Sequence, residues 1–255
     1  MTSGGTAARV KSADRTLELL ELLAASPERR TLAELARDLD IPKSSLHGLL
    51  RTLVQRGWLE VDGNGSRYGL GVQALRTGTA YLRTDRAVRR LTPAVDWLHR
   101  ELRATAQLGR LVGGHVVCLV TREQAGARPA NPASGHTPAH ATALGRAVLA
   151  RVAGDVASLA GVLPAAATMP PARLDALGTE LARTVARGYA VDWAPDDRAG
   201  CGSVAVGVPP ALGRFDSIAV SVTEHPLTES RAHDLAATIA TAIRDSLTGR
   251  LETDR

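Results

Sequence analysis

A group of polar side chains in the first quarter of the chain has the composition of a surface that contacts nucleic acid. Ser44, His47, Gly48 and Arg51 recur at i, i+3, i+4 and i+7, and Lys43 precedes them. This spacing places them on one face of a helix. Hydroxyl, imidazole and guanidinium groups can bond to base edges, and the two cations can bind phosphates. The pattern therefore predicts a DNA recognition helix.

Two short amphipathic helices joined by a tight turn must position this face. Thr31 and Glu34 have the spacing of a capping box, Asp40-Ile41 forms the turn, and Pro42 suits the first turn of the second helix. Apolar residues that must be buried recur at helical spacing in both segments: Leu32, Leu35, Ala36 and Leu39, then Leu46, Leu49, Leu50 and Leu53. The pattern predicts a helix-turn-helix, although any small helical bundle can contain two such helices.

Two of the polar residues on the second helix have alternative roles. Ser45 is a further candidate DNA contact, but it lies four residues before Leu49 and therefore towards the buried side. A cap or a local hydrogen bond is an equal alternative for its hydroxyl. His47 can be an exposed residue that contacts nothing.

A hairpin follows the predicted recognition helix. Residues 58–61 and 67–70 have strand patterns, and the five residues between them, Asp-Gly-Asn-Gly-Ser, are typical of turns. A hairpin at this position is a wing. Arg67, near its tip, is a candidate contact to a phosphate or to the minor groove.

The composition limits the class of protein. At 255 residues the chain suits two modest domains, and its net charge of +5 favours contact with a polyanion. No apolar run approaches the roughly 18 residues of a membrane span, and no signal peptide is recognisable. Two cysteines are too few for a disulfide framework. We expect a cytoplasmic protein with no membrane partner.

The order of patterns predicts an α+β protein with two domains. Residues 1–9 form a disordered tail, a helix opens at Ser12 or Ala13, and residues 10–70 complete the winged helix-turn-helix domain. Residues 71–84 form a linker helix. Residues 85–255 form the second domain, which begins with a helix over 85–106 that is interrupted near Pro93.

The second domain alternates strand and helix patterns. Strands are predicted on both sides of Gly113-Gly114 and over 203–208 and 218–223, with helices over 141–153, 171–187 and 228–247. Residues 122–136 form an irregular loop or a lid. An antiparallel sheet flanked by helices follows from this order.

Several stretches, in this order and spacing, resemble the IclR family of bacterial transcriptional regulators. They are LAELARDLDIPKSSLHGLLRTLVQRGWLE, RYGLG, PAHATALGRAVLA at 138–150, RGYAVD at 187–192, GCGSVAVGV and IAVSV. The resemblance implies a GAF-like effector-binding second domain. The chain departs from the family at Gly48, where arginine is common, at Gly207, where proline is common, and around Asp196-Asp197, where glutamates are usual.

The resemblance also implies a small-molecule pocket between the helix near Ala143 and the concave face of the sheet. Backbone N–H groups at that helix start would favour a carboxylate. The implied pocket residues are Ala143, Leu144, Gly145, Asp192, Cys201, Ser203, Ser221 and Thr223. Alternatives stay open, since Ser221 and Thr223 can be core residues, Asp192 can cap a loop, and Cys201 can be a buried small hydrophobe.

Other chemistries are less well supported. His136 and His140 are four residues apart, but Pro138 argues against the helix that a metal pair at this spacing requires. No nucleophile and base pair, phosphate loop or carboxylate pair is recognisable, so we expect neither an enzyme nor a cofactor. Two rivals remain: a cysteine-dependent redox enzyme of GAF type that uses Cys201, fused to a DNA-binding arm, and a constitutive architectural DNA-binding protein.

The sequence therefore predicts a ligand-responsive transcriptional regulator, with repression as the expected sign. Its partners would be a pseudo-palindromic DNA operator and a small carboxylic acid, and the protein would be a homodimer or a dimer of dimers. The identity of the effector and the operator sequence stay open.

Overall fold

The computed structural model describes residues 10–125, 137–152, 156–193, 202–210, 215–223 and 227–251. Helices span Lys11–Ala24 (α1), Leu32–Asp38 (α2), Lys43–Gln55 (α3), Val72–Thr84 (α4), Arg86–Leu102 (α5), Ala143–Val152 (α6), Val156–Val162 (α7), Pro171–Arg187 (α8) and Glu229–Leu247 (α9). Strands span Arg30–Thr31 (β1), Leu59–Val61 (β2), Arg67–Leu70 (β3), Thr105–Val112 (β4), His115–Arg122 (β5), Thr137–Pro138 (β6), Ala190–Asp192 (β7), Gly202–Gly207 (β8) and Asp216–Val222 (β9). Short 3-10 helices occupy Ala139–Ala141 and Pro164–Thr168.

The chain folds as two compact units whose boundary lies between Tyr81 and Leu82. This boundary lies within α4, in the segment for which the sequence predicts a linker helix over 71–84. The predicted tail at 1–9 and most of the predicted loop, residues 126–136, lie outside the described residues. Among the helices that the structure describes, none has the length and apolar character needed to cross a bilayer.

The first unit is a winged helix-turn-helix, as the sequence predicted. Its core consists of leucines from α1, α2, α3 and β2 and of an isoleucine from the turn between α2 and α3. These residues are at most 7% exposed: Leu19, Leu23, Leu35, Ile41, Leu46, Leu50, Leu53 and Leu59. At the start of α2, Thr31 and Glu34 form the expected capping box. The apolar stripes therefore face each other and turn the polar side of α3 outward.

A third strand joins the wing. β2 and β3 form the predicted antiparallel hairpin, and β1 pairs with the other edge of β3, so that Thr31 lies opposite Arg67. A two-residue strand has no periodicity of its own, which is why the sequence did not reveal it. The pairing attaches the wing to the start of α2.

The second unit is built on an antiparallel sheet of strand order β6-β5-β4-β9-β8-β7. One face packs against α5 and α9, with Leu98, Ile218 and Ile239 fully buried. The other face packs against α6 and α8 around Leu144 and Leu181. The predicted fold class, α+β with helices flanking an antiparallel sheet, is confirmed.

The helix that follows α4 differs from its prediction. α5 runs unbroken through Pro93 and ends at Leu102, because Arg103 adopts a left-handed conformation with φ of 47°. Residues 105 and 106 belong to β4 instead. The buried face of the helix, which includes Leu91 and Leu98, outweighs the hydrogen bond that Pro93 removes.

A buried ionic network joins the start of α5 to the centre of the sheet. The Arg110 guanidinium on β4 donates to Asp85 through Nη1 at 2.6 Å and to Asp216 through Nε at 2.7 Å. Asp85 also caps α5 by accepting from the N–H groups of Ala87 and Val88, each at 3.0 Å. These contacts, above all the hydrogen bonds from Arg110, hold the pKa of Asp85 well below its usual range.

Asp85→Asn is expected to lower the free energy of unfolding near neutral pH by about 2 kcal/mol, because the charged Arg110 loses an anionic partner and one of the two acceptor oxygens at that position. Asp85 stabilises the fold fully above its unfolded pKa of about 3.9, and this contribution is lost as pH falls towards the lower folded value. The difference between wild type and variant should therefore shrink towards about pH 3.

Urea unfolding at several pH values measures this difference. Asp234→Asn, at an exposed site on α9, is the matched control and should change stability little. A difference between wild type and Asp85→Asn that is the same at both ends of the pH range would show that the charge of Asp85 does not stabilise the fold.

Candidate functional site

The outer face of α3 presents the side chains that the sequence proposed for reading DNA. Lys43, Ser44, His47 and Arg51 are all exposed, while Leu46 on the opposite side of the helix is fully buried. The face carries two cations, two hydrogen-bonding groups and, at Gly48, no side chain. Its chemistry suits both phosphate oxygens and base edges in a major groove.

Ser45, the further candidate DNA contact, lies nearer the surface than its place four residues before Leu49 suggested. The residue is exposed rather than directed towards the core, and it lines a groove between α3 and the beginning of α1. Leu49 is only partly buried, so the exposed face of α3 near Ser45 is wider than the helical spacing of the leucines predicts. Ser45 is therefore accessible to a partner outside the chain.

The wing is shaped by a carboxylate. Asp62 accepts hydrogen bonds from the backbone N–H groups of Ser66 at 2.9 Å and Arg67 at 3.1 Å, and these bonds lower its pKa. The exposed Arg67 guanidinium donates to the carbonyl of Arg29 at 3.0 Å through Nη1. Part of its bonding capacity thus holds the wing, and the remaining N–H groups can meet a phosphate.

In the second unit, four polar residues form one row across four strands. Asp192 on β7 pairs in register with Ser203, Ser203 with Ser221, and Ser221 with Thr105 on β4. The hydroxyls of Ser203 and Ser221 lie 2.7 Å apart and are buried. The row lies on the sheet face that α6 covers, since the neighbouring Ala205 packs in the core on that side.

The start of α6 already holds a carboxylate from the protein itself. The N–H of Ala143 donates to Asp192 Oδ2 at 2.6 Å, and Arg146 forms a very short ion pair with Asp192 Oδ1. The N–H of Gly145 donates to the hydroxyl of Thr142 at 3.1 Å. Two of the three backbone groups predicted to meet an effector therefore have partners inside the chain.

Leu144 and Gly145 also hold α6 in place. The carbonyl of Leu144 accepts a hydrogen bond from Ser217 at 2.7 Å. A Cβ added at Gly145 would lie 2.0 Å from the carbonyl oxygen of Ala139, so only glycine allows α6 to approach the preceding 3-10 helix this closely. The structure thus gives both residues a role in packing α6.

Thr223, one of the two remaining predicted pocket residues, does not join the row. Thr223 is exposed and lies one residue beyond β9, and Cys201 lies outside the described residues. The structure adds three polar residues that the sequence analysis missed: Thr105, Gln107 and Arg146. Polar residues at alternate positions of a strand buried on both faces, as in Thr105 and Gln107, were the available signal.

His140 lies beside α6 in a cationic environment. Burial is the main cause that lowers the pKa of His140, and the charges of Arg173 and Arg146 lower it further. His136, its proposed companion, lies outside the described residues. Within the described part of the chain, no three histidine, cysteine or acidic side chains are grouped as a metal site.

Comparisons with known proteins match both units. Residues 12–63 match the profile of the IclR helix-turn-helix domain, and residues 79–246 match that of the bacterial transcriptional regulator IclR C-terminal domain. The glycerol operon regulatory protein of Streptomyces coelicolor is 35% identical over 146 residues, which are 56% of this chain and 57% of that protein. The aligned part thus spans a little over half the length of that relative.

A repressor and two solved structures extend the comparison. The acetate operon repressor of Salmonella typhimurium is 28% identical over 200 residues, 75% of this chain and 72% of that protein. An IclR regulator from Alicyclobacillus acidocaldarius has a TM-score of 0.76 at 19% identity, covering 94% of this chain and 99% of that one. An IclR homologue from Microbacterium hydrocarbonoxydans in complex with 4-hydroxybenzoate has a TM-score of 0.72 at 20% identity, covering 93% and 99%.

Gly48→Ala is expected to stabilise the first unit by about 1 kcal/mol, because glycine in a helix interior costs about that much relative to alanine. A Cβ at Gly48 would meet nothing within 4 Å. Thermal unfolding should show a midpoint raised by roughly 4–8 °C for a transition of a unit this size.

Gly109→Ala is the contrasting control. A Cβ at this position on β4 would lie 2.5 Å from Leu144 Cδ2, so this variant should lose stability. Equal destabilisation by both substitutions would contradict the conclusion that a side chain at position 48 has free space around it.

Proposed function

The chain belongs to the IclR family of transcriptional regulators, and on this premise we propose that it binds an operator through α3 and the wing and responds to a small carboxylic acid bound in the second unit. The observation that carries the proposal is the exposed polar face of α3, which an apolar core on its other side holds outward. Lys43, Ser44, Ser45, His47 and Arg51 are the proposed contacts from this helix. Arg67 would bind a phosphate beside it.

Exposed apolar side chains support assembly as a homodimer. α4 has no buried residue among its thirteen, and Val72, Leu75 and Tyr81 are 59%, 69% and 43% exposed. Apolar side chains at this density on one helix favour burial against another copy. A symmetric dimer presents two copies of α3, which would match the two halves of a pseudo-palindromic operator. A dimer of dimers through the second unit is the larger assembly that we propose.

We place the effector between the start of α6 and the polar row of the sheet. A relative of the same fold is described in complex with 4-hydroxybenzoate, a carboxylic acid. In this chain the donors suited to a carboxylate, the N–H of Ala143 and the guanidinium of Arg146, hold Asp192. An acidic effector would take these donors by displacing Asp192, and Ser203 and Ser221 lie next to it in the row.

The proposed sign is repression, which agrees with the names of several relatives. The effector can change DNA binding only through its difference in affinity for the DNA-competent and incompetent arrangements. A tenfold response requires a difference of roughly 1.4 kcal/mol. Exchange of one charge-assisted hydrogen bond at Ala143 or Arg146 is enough to supply this.

Lys43→Gln and Arg51→Gln are expected to weaken binding to a fragment from upstream of the protein's own gene, each by roughly tenfold or more. If Arg51 contacts a base, its loss should also reduce the preference over random DNA by about 1–3 kcal/mol. If Lys43 contacts a phosphate, its loss should weaken binding to both DNAs equally. Fluorescence anisotropy with the full chain measures both constants.

Arg244→Gln, at an exposed position on α9, removes the same charge far along the chain from α3 and is the control. It should bind as wild type does. Wild-type affinity in both α3 variants would refute the proposal that this face contacts DNA.

Asp192→Asn is expected to bind an acidic effector more tightly, by about tenfold where the lost competition is worth about 1.4 kcal/mol. The asparagine can still accept from Ala143, but it no longer pairs as an anion with Arg146. Isothermal titration with 4-hydroxybenzoate, or with the acid that gives the largest thermal shift in a pool of small carboxylic acids, measures the affinity. Asp234→Asn is the control.

A decrease in effector affinity would reject the proposal that the effector displaces Asp192. Weaker binding by Asp192→Asn than by wild type would mean that Asp192 stays in place and contacts the effector directly. A chain that binds DNA but shows no thermal shift with any acid would contradict the proposed effector class alone.

A further inference from the structure

A groove lies beside the predicted DNA-reading face of the first unit. It runs between the beginning of α1 and one side of α3, and its volume is about 620 Å³. Eight residues line it: Val10, Lys11, Ser12 and Arg15 from the first helix, and Ser45, Gly48, Leu49 and Thr52 from the third. The four residues of α3 recur at i, i+3, i+4 and i+7 and therefore form one continuous wall.

The charge of the groove is positive. Lys11 and Arg15 lie one helical turn apart on α1, and no acidic residue is among those that line the groove. Neither cation forms an ion pair with a carboxylate within the described part of the chain. Their charges are therefore available to an anion from outside.

The groove is continuous with the face that we propose to read DNA. Ser45 and Gly48 belong to both surfaces, and Gly48 adds no side chain that would separate them. A helix that enters a major groove is bordered on each side by a sugar-phosphate backbone. The groove lies where one of these backbones would pass if α3 enters the major groove.

We propose that Lys11 and Arg15 of α1 bind phosphates of the operator backbone, which occupies the groove between α1 and α3. The proposal rests on the proposed function, since it requires α3 to contact DNA. Contacts of this kind fix the register of a protein on the duplex and add affinity without sequence preference. Lys11 and Arg15 are thus DNA-positioning residues on a helix outside the helix-turn-helix.

The salt dependence of binding tests the proposal. Each lost phosphate contact reduces the magnitude of the slope of log K against log salt by about 0.9. Lys11→Gln with Arg15→Gln should therefore reduce it by about 2 for each subunit on the DNA, or by about 4 for the proposed dimer. The same slope corresponds to a loss of roughly eightfold per contact at about 0.1 M salt. The loss should be equal for the fragment from upstream of the protein's own gene and for a random duplex of equal length.

A charge-conserving double variant provides the matched control. Lys11→Arg with Arg15→Lys alters both side chains but keeps both cations, and it should retain nearly the wild-type slope. Fluorescence anisotropy of the full chain between about 50 and 200 mM salt gives the slopes. Circular dichroism and light scattering on each variant report helix content and oligomeric state.

Several results would overturn the proposal. A wild-type slope in the double glutamine variant rejects the groove as a phosphate site while the proposed function stands. A change of oligomeric state without a change of slope would mean that the groove contacts a second copy of the chain instead. Failure of the wild-type chain to bind either duplex would reject the proposed function and this inference together.

Discussion

The second unit depends on one buried cation shared by two carboxylates. The side chains of Arg110, Asp85 and Asp216 are at most 6% exposed, and their charges sum to −1. The N–H groups at the start of α5 that bond to Asp85 offset part of this excess. Separating any of the three would leave an unpaired buried charge. The network therefore fixes the beginning of α5, directly after α4, to the central strands β4 and β9.

The same two strands carry part of the proposed effector site. Thr105 lies five residues from Arg110 on β4, a distance of about 17 Å along the strand, and Ser221 lies five residues from Asp216 on β9. The carboxylate at the effector end is held differently: the side chain of Asp192 is 32% exposed and pairs with a single arginine. Solvent lowers the cost of releasing Asp192. The network around Arg110 is thus a buried anchor, whereas the carboxylate next to the proposed effector site is partly open to solvent.

The sequence predicted what depends on local periodicity. The leucine stripes around α3, the capping box at Thr31 and the hairpin at Gly113-Gly114, where both glycines have positive φ, all follow from residues close in sequence. The hydrogen bond from the N–H of Ala143 to Asp192 joins residues 49 positions apart. The sequence therefore could not show that a carboxylate of the chain itself occupies the start of α6. The interruption predicted near Pro93 was wrong for a related reason. Burial of α5 against the sheet, which involves residues distant in sequence, keeps the helix continuous.

The first unit lacks a positive charge on α3 at position 48, where the family commonly has one. Arginine is common in the family where Gly48 stands, and the open space around Gly48 shows that packing does not require a glycine here. If α3 contacts DNA as we propose, the absence of a cation at Gly48 leaves Lys43 and Arg51 as the charges of this face, and cations elsewhere in the unit would add to the attraction. Lys11 and Arg15 lie across the groove from Gly48 and are placed to supply them. Because α1 also contributes Leu19 and Leu23 to the core that supports α3, the backbone positions that carry these two cations are fixed relative to the proposed reading face.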